Sequence, residues 1–373
     1  MRAPCVLLED SLRGMGVLYA RPKALFVARA PGEVAGVFEE MERARAAGLH
    51  LAGYAAYELG LALEPRLSPL MPSGRRLPLL RFGAFEAPSP YEPPGAAPAF
   101  EGLDLRPDWG LAAYAGPFRR AIDYIFAGDV FQINLTFPMR GRYEGDPFAL
   151  YRMLARRQPV PHGGVVALAE GEEAVVSLSP ERFFAVEGGR IRARPMKGTA
   201  ARGGDPEADR RVREALAKDP KNRAENLMIV DLLRNDIGRV CEVGSIRVPD
   251  LFTVETYRTL HQMTSGVEGR LRRGVGIADL FAGLFPCGSV TGAPKVRAME
   301  VIAELEDAPR GVYCGAIGSI APNGDARFNV AIRTLTLFPG GEVVANVGSG
   351  LVADSDLDDE YAECLLKARF ASA

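Results

Sequence analysis

The chain has 373 residues, 47% of them apolar and 25% charged, which is enough to bury a large core in one big domain or two smaller ones. Its 45 basic and 47 acidic residues give a net charge of -2, which excludes attraction to nucleic acid or to an anionic membrane by overall charge. We expect a cytoplasmic protein without disulfides or structural zinc, because no apolar run approaches the roughly 18 residues that span a bilayer and the five cysteines are widely spaced.

The first hundred residues alternate strand patterns, such as GVLYA and ALFVA, with one amphipathic helix over residues 32–48. The run HLAGYAAYELG follows as a buried strand and turn. Six prolines between residues 84 and 108 disfavour both a helix and a central strand. We therefore predict an N-terminal portion over 1–83 that packs on the main domain, a proline-rich connection over 84–108, and the main domain over 109–373.

From Trp109 onward, strands come in consecutive groups and do not alternate one by one with helices. Helices are predicted near 111–127, 207–235, 275–285, 293–306 and 356–370. Strands are predicted near 130–140, 164–169, 174–178, 182–194, 243–248, 262–270, 313–320, 327–338 and 342–348. Consecutive strands bounded by Gly and Asn favour antiparallel pairing, so we predict an α+β fold and not a doubly wound one.

A glutamate and a lysine bound a predicted β-hairpin in the segment SPERFFAVEGGRIRARPMKGT. Gly188 and Gly189 supply its two-residue turn, so the hairpin returns Lys197 to the end that carries Glu181. The pair can be a structural salt bridge, or it can be a general acid beside an amine nucleophile. After the lysine, a glycine and Thr199 suit a close approach of the backbone to a ligand.

An acidic residue, Glu225, lies at the edge of an apolar helix in the segment NRAENLMIVDLLRNDIGR. A carboxylate at such an edge is costly to bury unless a cation or hydrogen-bond donors meet it. Arg223 or Arg234 of the same helix can satisfy this carboxylate, which would make it a structural residue.

The last predicted helix, in SDLDDEYAECLLKARF, carries Glu360, Glu363 and Lys367 along one face. Glu363 and Lys367 have the i,i+4 spacing of an ordinary surface ion pair, worth about 0.3–0.5 kcal/mol. Glu225 and Glu363 together can instead supply oxygen ligands to Mg²⁺, which takes one or two carboxylates and shares its shell with water and an anionic substrate.

Two glycine-rich stretches and one arginine are candidates for holding an anion. CGSVTGAPK places small residues and a proline before a helix, which exposes backbone N–H groups at the helix N-terminus. It lacks the spacing of a Walker A loop, and NVGSGLVADS is a second glycine-rich turn. Most such stretches are only tight turns. Arg333, flanked by apolar residues in ARFNVAIRTLTL, is a candidate bidentate clamp for a carboxylate.

Taken together, these segments resemble the chorismate-utilising enzymes, and most closely the branch formed by component I of aminodeoxychorismate synthase. The matching motifs, all in the family's order, are GDVFQINLT, SLSPERFF, PMKGT, ENLMIVDLLRNDIGR, CGSVTGAPK, RGVYCGAIG, FNVAIRT and GSGLVADSDLDDEYAE. The resemblance implies a large two-lobed α+β domain with mainly antiparallel sheets packed face to face and helices outside. Residues 109–373 would then be the chorismate-binding catalytic domain.

The resemblance also implies roles for individual residues. Glu181 matches the general acid that protonates the departing C4 hydroxyl of chorismate. Glu225 and Glu363 match the Mg²⁺ ligands, with Glu360 beside them. Some relatives have a further acid three residues before the first ligand, where this chain has Asn222, so the metal site here would carry less charge. The residues that match substrate-binding positions are Thr199, His261, Thr291, Gly292, Ala293, Tyr313, Arg333, Gly348 and Lys367.

Two positions distinguish the reactions within the family. Relatives that form isochorismate or salicylate have a water-activating lysine where this chain has Gln132, and an amide cannot act as that base. Anthranilate synthases usually have alanine at the position of Lys197, whereas aminodeoxychorismate synthases have lysine. The resemblance therefore implies that Lys197 adds to C2 of chorismate and that ammonia then attacks C4 and expels it.

The implied function is amination of chorismate at C4 to 4-amino-4-deoxychorismate, for 4-aminobenzoate and folate synthesis, with Mg²⁺ as cofactor. The chain lacks a G-x-C-x-G elbow with a downstream histidine, so a separate glutamine amidotransferase subunit is the implied source of ammonia. Component I of anthranilate synthase is the alternative enzyme. A non-catalytic regulatory protein that binds chorismate or an amino acid is the alternative of another class.

Overall fold

The computed structural model describes residues 4–93, 95, 102–256 and 260–372, so part of the predicted connection over 84–108 lies outside the described residues. The α-helices are α1 (Val34–Ala46), α2 (Leu59–Leu63), α3 (Leu111–Phe126), α4 (Pro147–Arg157), α5 (Pro206–Lys218), α6 (Pro220–Gly238), α7 (Ile277–Leu284), α8 (Lys295–Leu305) and α9 (Leu357–Ala368). Short 3-10 turns cover Pro31–Glu33, Ser68–Leu70 and Gly288–Val290. The helices α3, α7, α8 and α9 confirm four of the predicted helices to within about two residues at each end.

The strands of the described chain are mostly short, and many of them were visible in the sequence pattern. In chain order they are β1 (Cys5–Asp10), β2 (Met15–Ala20), β3 (Ala24–Ala28), β4 (His50–Ala55), β5 (Leu80–Phe85), β6 (Ser89–Tyr91), β7 (Arg106–Pro107), β8 (Gln132–Arg142), β9 (His162–Ala167), β10 (Ala174–Ser179), β11 (Arg182–Glu187), β12 (Arg190–Ala193), β13 (Met196–Ala201), β14 (Thr253–Thr256), β15 (Leu260–Thr264), β16 (Val267–Arg270), β17 (Gly292–Ala293), β18 (Ala316–Ile320), β19 (Ala326–Val330), β20 (Thr334–Leu337) and β21 (Glu342–Leu351). The predicted hairpin is confirmed, because β11 and β12 pair across Gly188 and Gly189, which have φ angles of 55° and 75°.

Two large antiparallel sheets face each other across the core. The first has the strand order β17-β8-β21-β20-β10-β9-β1-β2-β6, with β7 also paired to β8, and the second has the order β16-β12-β11-β19-β18-β4-β5-β3. Val6 and Val175 of the first sheet pack with Tyr54, Phe85 and Ile317 of the second in one buried cluster. Helices α3, α4 and α9 contact the first sheet and α1 contacts the second. The predicted α+β fold with antiparallel sheets packed face to face is therefore confirmed.

Strands from the N-terminal part of the chain belong to both large sheets. Strand β1 pairs with β9, with Leu7 opposite Val165, and β4 pairs with β18, with Gly53 opposite Gly318. A side chain at Gly53 would collide with the backbone of Arg81, so the close approach of β4 and β5 requires this glycine. The division of the chain at residues 83 and 108 stays a prediction, but residues before it share their core with residues after it.

Four predicted elements are wrong in detail. The strand predicted over 262–270 is divided between β15 in the small sheet β13-β15-β14 and β16 in the second large sheet. The helix predicted over 207–235 is two helices, because Pro220 cannot continue α5 and begins α6, with Asp219 as the N-cap. The strand predicted over 327–338 is divided between β19 in the second sheet and β20 in the first, with Arg333 at a φ of 49° in the crossing. The segment predicted as a strand over 243–248 forms only an isolated bridge, at Arg247.

The structure adds two observations on composition and environment. All five cysteines are buried. Among the described residues, no helix combines the length and the apolar character needed to cross a membrane.

Candidate active site

A cavity of about 1060 Å³ opens at one end of the first sheet, where β21 meets β13, α6 and α9. Its volume is at the upper end of the range usual for small-molecule sites. Predicted site residues line it from seven different elements and loops: Glu181, Lys197, Thr199, Glu225, Tyr313, Arg333, Gly348, Glu360, Glu363 and Lys367. The structure therefore brings together residues that are as much as 186 positions apart in the sequence, from 181 to 367.

Glu181 is a buried carboxyl in the wall of this cavity, between β10 and β11. Its Oε1 accepts a hydrogen bond of 2.9 Å from the Ser289 hydroxyl, and its backbone N–H donates to Ser179 Oγ at 3.2 Å. Burial raises the pKa of Glu181, while the Ser289 hydroxyl and the nearby Lys197 act to lower it. A raised pKa suits a carboxyl that must hold a proton before it donates it.

Ser289 was missed by the sequence analysis, although it stands inside the CGSVTGAPK motif. The motif was interpreted through its glycines and its backbone N–H groups. The hydroxyl of Ser289 could have indicated this role, because a serine in a glycine-rich turn can donate a hydrogen bond to a neighbouring carboxyl group.

Lys197 lies on β13, partly buried, with its Nζ facing the same cavity. Within the part of the chain that the structure describes, it forms neither an ion pair nor a hydrogen bond through its side chain. Burial lowers the pKa of Lys197, the carboxylate of Glu225 raises it in part, and the ammonium of Lys367 lowers it further. The salt bridge between Glu181 and Lys197, one of the two alternatives, is therefore not formed, and the amine is available for reaction.

A glycine and a glutamine complete the surroundings of this lysine. A Cβ at Gly350 would lie 3.8 Å from Lys197 Nζ and would collide with the side-chain amide of Gln132. Gln132 is buried, and its Oε1 has no hydrogen-bond partner among the described residues. The position at which some family members carry a base thus holds a neutral amide close to Lys197.

The three predicted metal carboxylates line one side of the cavity but differ in their contacts. Glu363 forms an ion pair of 2.6 Å with Lys367, and Glu360 accepts a hydrogen bond of 2.5 Å from Ser355. Glu225 has no partner among the described residues. In the described part of the chain no three acidic, histidine or cysteine side chains stand close enough to form a metal cluster.

The two arginines proposed as structural partners of Glu225 are engaged elsewhere. The guanidinium of Arg223 lies 4.5 Å from the centre of the Phe252 ring, and Arg234 forms an ion pair of 3.1 Å with Asp231. Glu225 is therefore a partly buried carboxylate that faces the cavity without a hydrogen bond or ion pair among the described residues. Such a group fits Mg²⁺, which needs only one or two carboxylates and completes its shell with water and substrate oxygens.

Arg333 is the candidate group for holding a substrate carboxylate. It lies at the crossing between β19 and β20, and its positive φ of 49° turns it toward the cavity. Its guanidinium has no partner among the described residues, and burial lowers its pKa from the ordinary value. Nearby, Lys367 Nζ donates a hydrogen bond of 2.9 Å to the carbonyl of Gly348. An unpaired, partly buried guanidinium is suited to bidentate recognition of a carboxylate.

His261 was predicted as a pocket residue, but the structure does not bring it to the cavity. It is fully buried between α5 and the small sheet β13-β15-β14. Its Nε2 lies 2.8 Å from Asp209 Oδ1, and its Nδ1 lies 3.0 Å from Thr256 Oγ1. Both ring nitrogens are thus occupied by protein partners, which is the arrangement of a packed structural histidine.

Thr291, Gly292 and Ala293 also do not line the cavity. The Thr291 hydroxyl donates to the carbonyl of Cys287 at 3.2 Å, and β17, which consists of the other two residues, pairs with the start of β8. These residues instead hold the turn that carries Ser289. We expected these three residues of the glycine-rich motif to contact the substrate. They instead contact Cys287 and β8 outside the cavity and support the turn of Ser289.

The chain is similar to known proteins in its sequence. A sequence model of the family described as chorismate binding enzyme matches residues 4–373. The chain is 47% identical over 250 residues to aminodeoxychorismate synthase component 1 of Klebsiella aerogenes, a match that covers 67% of this chain and 55% of that protein. It is 44% identical over 262 residues to anthranilate synthase component 1 of Thermus thermophilus, covering 70% of this chain and 56% of that protein. The chain spans about half the length of the curated relatives it matches.

A solved structure extends the agreement to the fold. The crystal structure of anthranilate synthase component I from Streptococcus pneumoniae superposes with a TM-score of 0.81 at 25% identity, covering 99% of this chain and 92% of that one. The match includes the N-terminal strands, where the sequence motifs are sparse. On the family match over residues 4–373 and this shared fold, the chain belongs to the chorismate binding enzyme family.

Proposed function

We propose that this protein aminates chorismate at C4 to give 4-amino-4-deoxychorismate, the precursor of 4-aminobenzoate in folate synthesis. The observation that carries the proposal is the unpaired amine of Lys197, which faces the same cavity as the buried carboxyl of Glu181. The pKa of the amine is lowered and that of the carboxyl is raised, so both shifts favour the reactive neutral forms.

The reaction divides into two displacements. Glu181 gives its proton to the C4 hydroxyl as the lone pair of Lys197 Nζ attacks C2, so the two conjugated ring double bonds shift and the C4–O bond breaks with loss of water. Ammonia then attacks C4, the two double bonds shift back, and the bond between Nζ and C2 breaks. The new ammonium group at C4 returns a proton to Glu181. The sum is chorismate plus ammonia giving 4-amino-4-deoxychorismate plus water, with Lys197 regenerated.

Mg²⁺ fits this site as a cofactor. Glu225 and Glu363 would hold it, with Glu360 beside them, and its chemistry would be to offset the charge of a substrate carboxylate. Glu363 would exchange part of its contact with Lys367 for the metal, which would leave the ammonium of Lys367 free to face the substrate. Asn222, three residues before Glu225, adds no charge to this group.

A separate glutamine amidotransferase subunit is the proposed source of ammonia. The relatives named as component 1 support a partner subunit, since that name describes one part of an assembly. All five cysteines are buried, so none of them has the accessible setting of a glutaminase nucleophile.

Anthranilate synthase component I is the second candidate, because the Thermus thermophilus relative with that name is 44% identical. That reaction aminates C2 and releases pyruvate. The presence of a lysine at position 197 favours the first candidate, because an amine that occupies C2 directs ammonia to C4.

Product analysis tests the proposal. The protein is incubated with chorismate, ammonium and Mg²⁺, and products are separated and identified by mass. We expect 4-amino-4-deoxychorismate without pyruvate. Anthranilate with an equal amount of pyruvate would contradict the proposal, and unchanged chorismate at saturating Mg²⁺ would indicate a binding protein.

Replacing Arg333 with alanine is expected to weaken substrate binding. Loss of a charged hydrogen-bond pair costs about 1.5–3 kcal/mol, so KM for chorismate should rise roughly 10- to 100-fold with a smaller change in kcat. Initial rates against chorismate concentration measure this. Arg327→Ala is the matched control, because Arg327 is an exposed arginine of the neighbouring strand that pairs with Glu187 at 2.7 Å. An equal KM for both variants would exclude Arg333 as a carboxylate clamp.

Replacing Glu225 with glutamine is expected to weaken metal binding. The amide keeps the shape but loses the charge, so the Mg²⁺ concentration at half-maximal rate should rise about tenfold or more. Isothermal titration of the free protein with Mg²⁺ gives a readout that does not depend on activity. Asp231→Asn, on the exposed side of the same helix, is the control. If both variants bind Mg²⁺ like the unaltered protein, Glu225 is not a ligand.

A further inference from the structure

The strand that carries Lys197 is irregular at this residue. Between the pairs that Met196 and Thr199 of β13 make with β15, the register shifts by one residue. Lys197 and Gly198 therefore stand opposite a single residue of β15, Met263, which is the arrangement of a β-bulge. A bulge interrupts the regular ladder and redirects side chains, and Gly198 adopts a left-handed φ of 83° within it.

One side chain of β15, that of Gln262, holds the chain directly after Lys197. Its amide nitrogen donates a hydrogen bond of 2.8 Å to the carbonyl of Gly198, and its amide oxygen accepts one of 2.9 Å from the Thr199 hydroxyl. Both ends of the amide are thus engaged by the two residues that follow the lysine. These bonds give the chain fixed partners at the place where the bulge disturbs the backbone ladder.

Helix α6 packs against the other side of the bulge. A Cβ at Gly198 would lie 2.8 Å from Oδ1 of Asn222, so this close approach of the helix requires glycine. Asn222 is itself fixed, because its backbone N–H and its side-chain amide both donate to Asp219 Oδ1, at 2.7 Å and 2.9 Å. The bulge is therefore held between α6 and the side chain of Gln262.

The position of the reactive amine depends on this backbone. The amine of Lys197 stands at the end of a flexible four-carbon chain, and no hydrogen bond or ion pair with another described residue fixes it. The direction of the side chain is therefore set where it leaves the strand. A displacement of about 1 Å at a reacting atom can cost roughly 100-fold in rate, so a residue that fixes the bulge affects the reaction without touching the substrate.

We propose that Gln262 is a positioning residue for the amination: it fixes the bulge of β13 so that the amine of Lys197 reaches C2 of chorismate. The inference rests on the proposed function. It also gives Thr199, which was expected to bind substrate, a supporting role through its hydrogen bond to Gln262. Gln262 lines the large cavity as well, so the alternative is that its amide binds the substrate directly.

Gln262→Leu tests the proposal, because it removes both hydrogen bonds and nearly keeps the volume. At saturating ammonium and Mg²⁺, we expect kcat for C4 amination to fall about 10- to 100-fold, with KM for chorismate within about twofold of the unaltered value. The share of anthranilate and pyruvate among the products should rise, because a misplaced amine leaves C2 open to ammonia. Gln158→Leu is the matched control and should keep rate and product. Gln158 lines the same cavity at the end of α4, and its side chain forms no hydrogen bond with β13 within the described chain.

Combined variants separate positioning from a general effect on the site. Thr199→Val removes only the bond to the amide oxygen of Gln262, so its loss of kcat should be smaller, and adding it to Gln262→Leu should cause no further loss. In the Lys197→Ala background, Gln262→Leu should leave the residual rate unchanged, because the group that it positions is gone. Should Gln262→Leu fail to fold, Gln262→Glu gives the same comparison, because its carboxylate accepts from Thr199 but cannot donate to the carbonyl of Gly198.

The outcomes distinguish this proposal from the proposed function. If the unaltered protein makes no 4-amino-4-deoxychorismate, the proposed function fails and the inference fails with it. If the unaltered protein makes this product, and Gln262→Leu keeps both kcat and product ratio, only the positioning role is overturned. A rise of KM for chorismate with unchanged kcat would also overturn it, because the amide would then bind the substrate. An equal loss of rate with and without Lys197 would overturn it as well, because Gln262 would then act on the whole site.

Discussion

Lys197→Ala should lose amination at C4 by about 100-fold or more, because the variant lacks the nucleophile that would occupy C2. Ammonia can then attack C2 directly, so anthranilate and pyruvate are expected among the remaining products. Product identity by mass, together with the initial rate, measures both effects. The unpaired state of the amine makes a structural contribution small, so the midpoint of thermal unfolding should not fall.

Lys23→Ala is the control for this variant. Lys23 pairs with Glu86 at 2.8 Å on the exposed surface and does not line the cavity. It should keep both rate and product. If Lys197→Ala instead kept its rate and product while its unfolding midpoint dropped, Lys197 would be a structural residue. The salt-bridge alternative would then return with a partner that the described contacts do not contain.

Glu181→Gln should reduce kcat by about 10²–10⁴, because a general acid typically contributes a factor of that size. The glutamine carbonyl can still accept the hydrogen bond from Ser289, so the shape of the site is kept. Initial rates at saturating chorismate give the change in kcat. Glu242→Gln, which alters a carboxylate exposed on the surface, should leave kcat unchanged.

The same variant should be more stable than the unaltered protein at neutral pH. The pKa of Glu181 is raised in the folded state, so the folded protein binds this proton more tightly than the unfolded chain does. The resulting stabilisation is complete below the unfolded pKa and is lost as pH rises through the folded pKa. Glutamine does not ionise, so the unfolding midpoint of the variant should exceed that of the unaltered protein near pH 7, and the gap should close near pH 4. A gap that is constant between these two pH values would contradict a raised pKa.

The sequence predicted that Glu181 and Lys197 lie near each other, and both line the same cavity. The hairpin with two glycines at its turn accounts for part of this proximity, because it pairs residues 185–187 with residues 190–192 and so returns the chain toward residue 181. The sequence analysis did not predict the strand that carries Lys197. This strand, β13, belongs to the small third sheet. The pairing of β13 with β15 depends on residues more than 60 positions away, and no local pattern contains it.

Other features depend on contacts that a single sequence does not display. The residues next to His261 in the sequence do not show which way its ring faces. The ring contacts Asp209 of α5, and this contact holds it outside the cavity. Arg333 was predicted on one long strand, but the chain passes from the second sheet to the first there, and Arg333 lines the cavity at this crossing. Pro220, in contrast, was a local signal for the break between α5 and α6 that the apolar periodicity on either side concealed.

The pairing of N-terminal strands with strands far along the chain has a consequence for folding during synthesis. Strand β4 finds its partner β18 some 260 residues later, from Gly53 to Gly318, and the active-site strand β21 lies later still. In a nascent chain, the edge of β4 that pairs with β18 therefore stays unpaired until residues 316–320 have been synthesised. Folding with such distant contacts is slow, because closing a long loop lowers the entropy of the chain before the strand pairing stabilises the fold. We expect folding to be largely post-translational. We also expect chaperones to assist it by covering the edge of β4 that later pairs with β18.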